Sequence, residues 1–285
     1  MRIWVLLWHK MLKSRSPKPV LPMRVSKKGA LCHWMAFPLA GVAAIALLGL
    51  WSVQNSSSEI AKPPIPSPTV TQPNTPLDTP GLTTAAINAF SRGDLPAGEF
   101  AVEELLNRQA LVEAKSALEA VPKQQIDRPT ISFLRGRLVW QFIKIGNQDY
   151  SSDDARRYWE TALKKSPNSN VYRNALGFAY YAEGKFDQAV NVWHDALYKP
   201  EQKSANAVAS QDILNTYAGL SLGLYQLANT VPDDRKSKLL NESLRLRQKV
   251  MRDDRLGFQP DELNKNWMWP EKAIKDWRSL LQIQQ

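Results

Sequence analysis

Cysteine and histidine are the scarcest reactive side chains in this sequence of 285 residues. Because Cys32 is the only cysteine, an intramolecular disulfide is impossible, and the class of small disulfide-stapled domains is excluded. The three histidines, His9, His33 and His194, are scattered, and none belongs to a Cys/His cluster with the spacing of a metal site. We therefore predict that the chain binds no metal.

Catalytic motifs are also missing. The sequence contains no phosphate-binding loop and no nucleophile elbow. The acidic pairs Asp153-Asp154 and Asp233-Asp234 stand at predicted helix starts, where carboxylates cap free N–H groups and oppose the helix dipole. The third pair, Asp253-Asp254, lacks the alternating oxygen ligands of a calcium loop. We predict that the protein is not an enzyme and has no catalytic residue and no cofactor.

Positive charge is unevenly distributed along the chain, which carries a net charge of +10. Eight of the 37 Lys and Arg residues lie in residues 1–33, which hold no Asp or Glu. The remaining 29 basic residues nearly balance the 27 acidic ones. Binding to phosphates needs a clustered basic face on a folded domain, and this balance does not supply one. We expect no nucleic-acid partner.

Residues 34–53 contain no charged side chain and are rich in Ala, Leu, Gly and Val. A helix of about 20 such residues spans a hydrocarbon core about 30 Å thick. Trp34 and Trp51 stand near its two ends, where indole rings prefer the interface. The basic residues that precede the span predict a cytoplasmic N-terminal tail at 1–33 and a C-terminal part that is periplasmic or otherwise extracytoplasmic.

A cleaved signal peptide is the alternative interpretation of residues 1–53, because basic, apolar and polar regions follow one another in the expected order. The apolar run is longer than a usual signal core, and no clear small-x-small cleavage site follows it. These features favour an uncleaved signal anchor that holds the chain in the lipid bilayer.

Residues 54–82 are rich in Pro, Ser, Thr and Asn and hold few apolar side chains. This composition favours extended polyproline II structure, and at about 3.1 Å per residue it reaches at most about 90 Å. We predict a linker that separates the membrane from the domain that follows. A proline-motif ligand is the alternative interpretation.

Residues 83–285 show apolar side chains at helical spacing without sustained strand-like alternation, which predicts an all-α domain. One apolar pattern occurs twice, 34 residues apart. Its members are Ala155, Trp159, Ala162 and Leu163, which recur as Ala189, Trp193, Ala196 and Leu197. A period of this length is typical of helical hairpins that bury their apolar faces by stacking.

The unit at residues 170–200 carries the most specific pattern. Along it occur, in order, Leu176, Gly177, Tyr180, Gly184, Phe186, Ala189, Trp193, Ala196 and Pro200. This pattern resembles the tetratricopeptide repeat family, although Arg173 stands where an aromatic is usual and Pro200 arrives one residue early. The neighbouring units are degenerate, and the resemblance covers roughly residues 97–252.

The resemblance implies a right-handed α-solenoid of antiparallel helix hairpins, in which small residues let helices approach and aromatic residues fill the space beside them. The residues assigned to this structural role are Gly136, Ala155, Trp159, Ala162, Gly177, Tyr180, Ala189, Trp193 and Ala196.

The resemblance also implies that the first helices line a groove for a peptide or helix of another protein. The groove candidates are Phe133, Arg137, Trp140, Asn174, Phe178 and Tyr181. For Phe178 and Tyr181 a place in the core is an equal alternative. The paired Lys and Asn with which some family members clamp a C-terminal carboxylate do not map onto this chain.

Residues 256–285 do not repeat. The aromatic sequence Trp267-Met268-Trp269-Pro270 precedes a predicted helix at 271–282, which carries an apolar stripe. An open stack needs its last apolar face covered, so we predict a C-terminal capping helix. An exposed aromatic binding patch is the alternative.

These features together predict a bacterial, membrane-anchored scaffold or assembly factor that binds other proteins outside the cytoplasm. A regulatory subunit of a membrane or envelope enzyme is the alternative, in which the tail and span at 1–53 would be as necessary as the repeats. An envelope enzyme of unrecognised type is a third hypothesis, and it requires a polar cleft with perturbed carboxylates.

Overall fold

The computed structural model describes residues 77–198 and 210–283. The predicted basic tail, the transmembrane helix at 34–53 and most of the linker lie outside these ranges. Within them, none of the helices combines the length and the apolar character needed to cross a bilayer.

The described part of the chain is helical throughout and contains no strand, which confirms the all-α prediction. A short 3-10 turn lies at Lys123–Gln125. The α-helices are α1 (Thr79–Ser91), α2 (Leu95–Asn107), α3 (Leu111–Glu119), α4 (Pro129–Lys144), α5 (Ser152–Lys165), α6 (Asn170–Ala182), α7 (Phe186–Tyr198), α8 (Gln211–Ala228), α9 (Asp233–Asp253), α10 (Pro260–Lys265) and α11 (Glu271–Gln282).

Helix α1 begins inside the segment that the sequence assigns to the linker. The Asp78 side chain caps it by accepting a hydrogen bond from the Gly81 N–H at 2.8 Å. Pro80 lies in the first turn, where a missing backbone N–H costs little. A proline two residues after an aspartate is therefore part of a helix start here, although the same residue types also suit a turn.

Helix α5 begins with a capping box, as the acidic pair at 153–154 suggested. Ser151 accepts from the Asp154 N–H, and the Asp154 carboxylate accepts from the Ser151 N–H at 2.9 Å. These bonds satisfy two donors that would otherwise be unpaired at the helix end. Hydrogen bonds from Ser151 hold the pKa of Asp154 below its usual value.

Consecutive helices pack against each other: α1 with α2, α2 with α3, α4 with α5, α6 with α7, and α8 with α9, and α2 packs more extensively on α1 than on α3. The hairpins also contact their neighbours, because α5 packs on α6, α7 packs on α8, and α6 reaches α8 directly. This repeated packing is compatible with a helical repeat.

Close helix approach depends on glycine next to tryptophan. A Cβ atom at Gly136 would lie 2.4 Å from Nε1 of Trp159, and one at Gly177 would lie 2.4 Å from Cε2 of Trp193. Gly219, on α8, faces the same Trp193 ring at the same distance. The Trp193 ring therefore fills a space between α6 and α8 that only glycine on both helices leaves open.

The other residues predicted to have a structural role in the repeat are also placed by the structure. Like Trp193, five of these residues have fully buried side chains: Ala155, Trp159, Ala162, Ala189 and Ala196. Tyr180 is half-buried instead, and its hydroxyl donates a hydrogen bond to Oε1 of Glu160 at 2.7 Å.

The C-terminal helix forms at the predicted residues, but it does not lie beyond the last hairpin. Helix α11 packs against α6 and α8. Its apolar stripe is buried there, and the Arg247 guanidinium on α9 donates a hydrogen bond to the Leu280 carbonyl at 2.6 Å. The expected position at the end of the stack was therefore wrong. An amphipathic stripe predicts that one face is buried, but not which surface covers it.

Candidate functional site

The first helices of four successive hairpins are α2, α4, α6 and α8, and we call the surface that they form the first-helix face. The predicted groove residues belong to α4 and α6. A second element, residues 258–282, lies against this face and is called the C-terminal segment below.

On α4 the C-terminal segment is held by contacts to its main chain and to one indole ring. Trp140 donates from Nε1 to the Met268 carbonyl at 3.2 Å, and Lys144 donates from Nζ to the Asn266 carbonyl at 2.7 Å. The Arg137 guanidinium lies 4.6 Å from the centre of the Trp267 ring. Two of these contacts are to main-chain carbonyls of the turn at 266–269 and not to a particular side chain.

On α6 and α8 the contacts are aromatic and polar. The rings of Phe178 and Trp269 lie 4.9 Å apart, and Trp269 donates from Nε1 to Oδ1 of Asn215 at 3.0 Å. The Tyr181 hydroxyl donates to Oδ2 of Asp276 at 2.7 Å. Burial and this carboxylate raise the pKa of Tyr181 well above its ordinary value.

All six predicted groove residues are buried. Phe133 lies 5.9 Å from the Trp267 ring, so it also faces the C-terminal segment. Asn174 joins two helices of the face instead, because it donates to the Asp212 carbonyl at 2.7 Å and accepts from the Thr216 hydroxyl at 2.8 Å. Across α4 and α6, the predicted groove is therefore filled by the chain itself.

Phe178 and Tyr181 combine the two places that the sequence left open. Phe178 packs edge-on against Trp193 inside its own hairpin at 5.2 Å, and Tyr181 packs against Phe186 at 5.1 Å. Their other contacts are to Trp269 and Asp276 of the C-terminal segment. These two residues form the layer between the hairpin core and the segment.

The C-terminal segment is an integral part of the folded domain. Trp269 and Trp277 are fully buried, pack 6.0 Å apart, and enclose Phe258 with them. A buried tryptophan removes about 150–250 Å² from water, which stabilises the fold by about 4 to 6 kcal/mol per ring at about 25 cal/mol per Å². Displacement of this segment by a partner protein would therefore cost a large free energy. The alternative prediction of an exposed aromatic patch is wrong for Trp269, which is fully buried.

Helix α2 is the part of the first-helix face that stays open. Pro96, Glu99, Phe100, Glu103 and Asn107 follow one another at helical spacing on one side, and we call this set the α2 stripe. The opposite side of α2 is buried in the core. Phe100 is 65% exposed, and the Glu103 side chain is 55% exposed.

Two residues of the α2 stripe contact one buried cation, Arg137. Arg137 of α4 donates to Oδ1 of Asn107 at 2.7 Å and lies 3.6 Å from Oε1 of Glu103. Burial lowers the pKa of Arg137 to about 10, and the carboxylates of Glu103 and Glu104 act in the opposite direction. Because this pKa is well above neutrality, the guanidinium is charged, and the carboxylates of Glu103 and Glu104 both act on it.

Thr130 of α4 and Tyr172 of α6 also lie near the glutamates of the α2 stripe. The Thr130 hydroxyl donates to Oε1 of Glu99 at 2.5 Å. Tyr172 of α6 is half-buried and stacks on Phe133 at 4.7 Å. Burial raises the pKa of Tyr172, and the carboxylates of Glu99 and Glu103 raise it further.

Sequence reasoning did not find the α2 stripe. The unit that contains α2 is degenerate, so the resemblance supplied no groove positions there. The available signal was local: one exposed phenylalanine stands among acidic residues on a single helical side, while the other side carries Ala101, Val102 and Leu105. Within residues 77–198 and 210–283, no group of three potential metal ligands occurs beside it or elsewhere.

Comparison of the sequence with protein-family models and with curated proteins returns no match. The resemblance to tetratricopeptide repeats therefore depends on the residues quoted above and on the repeated hairpin packing.

Proposed function

We propose that this chain is a membrane-anchored protein-interaction scaffold or assembly factor. Its residues 34–53 form the transmembrane anchor and leave the N-terminus in the cytoplasm, and the proline-rich linker carries a right-handed, tetratricopeptide-like solenoid outside the cytoplasm. The solenoid binds other proteins through its first-helix face.

One observation carries the proposal: the first-helix face already binds a polypeptide. The chain at 266–269 lies across α4 and α6, with two of its carbonyl groups accepting hydrogen bonds from Trp140 and Lys144. Such a surface, with donors for main-chain carbonyls between aromatic rings, suits a polypeptide segment with outward-facing carbonyls, as the turn at 266–269 provides. The same face continues onto α2, where the C-terminal segment leaves Phe100 exposed.

Binding can be tested by photo-crosslinking in native membranes. A photoreactive phenylalanine analogue replaces Phe100 on the α2 stripe or, as a control, Val112, which is 70% exposed on α3. We expect an adduct with another protein at position 100 and none at 112. Absence of any protein adduct at position 100 would overturn the proposed function.

The topology can be tested by cysteine labelling. In a Cys32→Ser background, Ser91→Cys places a thiol on the exposed end of α1, and Ser14→Cys places one in the basic tail. A membrane-impermeant maleimide should label position 91 in intact cells and position 14 only after permeabilisation. Labelling with the reverse pattern would refute an extracytoplasmic domain.

A further inference from the structure

We propose that the α2 stripe is a docking site for a basic segment of a partner protein. The inference rests on the proposed function and specifies which part of the first-helix face takes the partner, and by which chemistry. The C-terminal segment covers the face at α4, α6 and α8, whereas Phe100 and Glu103 of α2 remain in contact with solvent.

Charge determines the sign of the partner. Glu99, Glu103 and Glu104 lie on two adjacent turns of α2. Arg137 acts on Glu103 and Glu104, whereas Glu99 accepts a hydrogen bond from the neutral Thr130 hydroxyl. Arg108, which follows α2, donates to the Leu77 carbonyl instead. Asn107 bridges Arg137 and Glu104, since it accepts a hydrogen bond from Arg137 and donates one to Oε1 of Glu104 at 3.2 Å. The carboxylates therefore keep a net negative charge, which attracts Lys or Arg and repels acidic segments.

Apolar surface determines where the side chains of such a segment lie. Phe100 is three residues before Glu103 and four before Glu104, so its ring is next to both carboxylates on the helix surface. Lys and Arg pack their methylene stems on apolar surface while their charged heads reach carboxylates. A guanidinium or ammonium also interacts favourably with the face of an aromatic ring, as Arg137 does with Trp267.

The shape of the site favours a polypeptide over a small molecule. The stripe is an open helix side that extends from Pro96 to Asn107, with the half-buried rings of Tyr172 and Trp267 beside it. Beneath it, Nε of Arg137 and Oε1 of Gln141 lack hydrogen-bond partners in the described part of the chain. The Nε–H donor of Arg137 thus remains free to bind an acceptor, and a main-chain carbonyl of a polypeptide is one such acceptor.

The test measures binding of a fluorescent peptide, in which arginine alternates with glycine, to the full-length chain in detergent micelles. A second peptide carries citrulline in place of arginine, which keeps the shape and removes the charge. We expect the arginine peptide to bind, its affinity to fall as salt is raised, and the citrulline peptide not to bind. Equal binding of the two peptides would overturn the inference.

Matched variants locate the site. Glu99→Gln with Glu103→Gln should weaken binding about fivefold to tenfold, since a single exposed ion pair contributes little but several in a network contribute more. Glu113→Gln with Glu119→Gln removes the same charge from α3 and should leave affinity unchanged. Phe100→Ala should weaken binding, while Val112→Ala should not. Equal losses in stripe and control variants would mean unspecific attraction and refute the site.

The crosslinking experiment separates failure of this inference from failure of the proposed function. If position 100 captures a protein through a segment containing Lys or Arg, and Glu103→Gln reduces the adduct, both stand. If the captured segment is acidic or neutral, or belongs to a second copy of this chain, the inference is wrong. A heterologous adduct that is insensitive to Glu99→Gln and Glu103→Gln likewise removes the inference and leaves the proposed function.

Discussion

The indole Nε1 of Trp140 donates a hydrogen bond to the main-chain carbonyl of Met268, 3.2 Å away and 128 residues further along the chain. Both residues are buried, so neither group is freely hydrated if the other is removed. A buried acceptor left without a donor costs about 1–3 kcal/mol, which is more than a typical made bond contributes. This bond is therefore a sensitive probe of the join between the first-helix face and the C-terminal segment.

Trp140→Phe should lower the free energy of unfolding more than Trp193→Phe does. Both substitutions remove the same atoms from a buried ring, but Nε1 of Trp193 has no hydrogen-bond partner among the described residues. We expect Trp140→Phe to cost about 1–3 kcal/mol beyond the control, because the Met268 carbonyl remains unpaired. Urea unfolding followed by circular dichroism measures the difference, and equal losses would contradict the role of this bond.

Gly177→Ala should destabilise the protein although alanine favours helices. In an ordinary helix interior this substitution gains about 1 kcal/mol. Here the new methyl group would lie 2.4 Å from Cε2 of Trp193, so either the ring or α6 must move, and overpacking of this kind costs about 1–3 kcal/mol. A higher midpoint in thermal or urea unfolding would show that the ring is not confined by the glycine.

Tyr181 should make the fold sensitive to alkali. Its pKa in the folded protein is raised above its ordinary value of 10.0, so the contribution to stability is complete below pH 10 and is lost as the pH rises further. Burial also raises the pKa of Tyr180, to about 12, so Tyr180 acts in the same direction. Its contribution is the same in the unmodified chain and in a Tyr181→Phe variant, because both contain Tyr180. The free energy of unfolding should fall less steeply above pH 10 in Tyr181→Phe than in the unmodified chain. Parallel curves would contradict this assignment.

Removal of residues 256–285 should expose the apolar side chains that the C-terminal segment covers. Phe133, Trp140 and Phe178 would then face water, and we expect binding of a hydrophobic dye and a lower midpoint of urea unfolding. A synthetic peptide of residues 256–285, added to the shortened chain, should reduce dye binding. An unchanged midpoint without dye binding would show that the segment does not contribute to the fold.

Local features of the fold follow from sequence patterns. Helix α11 occupies the predicted residues, and the repeat pattern identified Gly136 and Gly177 as points of close helix approach, where the rings of Trp159 and Trp193 lie. These features depend on spacing over one or two turns, or on one hairpin, which a sequence displays directly. The departure at Arg173 also has a local explanation, since its buried guanidinium donates to the carbonyl of Pro167 where the family pattern has an aromatic ring.

Long-range placement does not follow in the same way. The C-terminal segment required a covering surface, but its partners Tyr181 and Asn215 lie 95 and 54 residues away from Asp276 and Trp269, which is too far for any periodicity to reveal them. The open α2 stripe was missed for a related reason. The exposure of Phe100 depends on how much of the first-helix face the C-terminal segment covers, and that coverage is determined only in the folded domain.

Stacked hairpins alone fold almost as a one-dimensional series, in which each unit depends on its neighbours and partly folded arrays persist. Here the last residues of the chain bind helices from three different hairpins, α4, α6 and α8. Contacts between such distant positions raise the contact order, which slows folding. They also mean that the earlier hairpins stay incomplete during synthesis until the C-terminal segment has emerged, so the domain does not complete its fold one hairpin at a time.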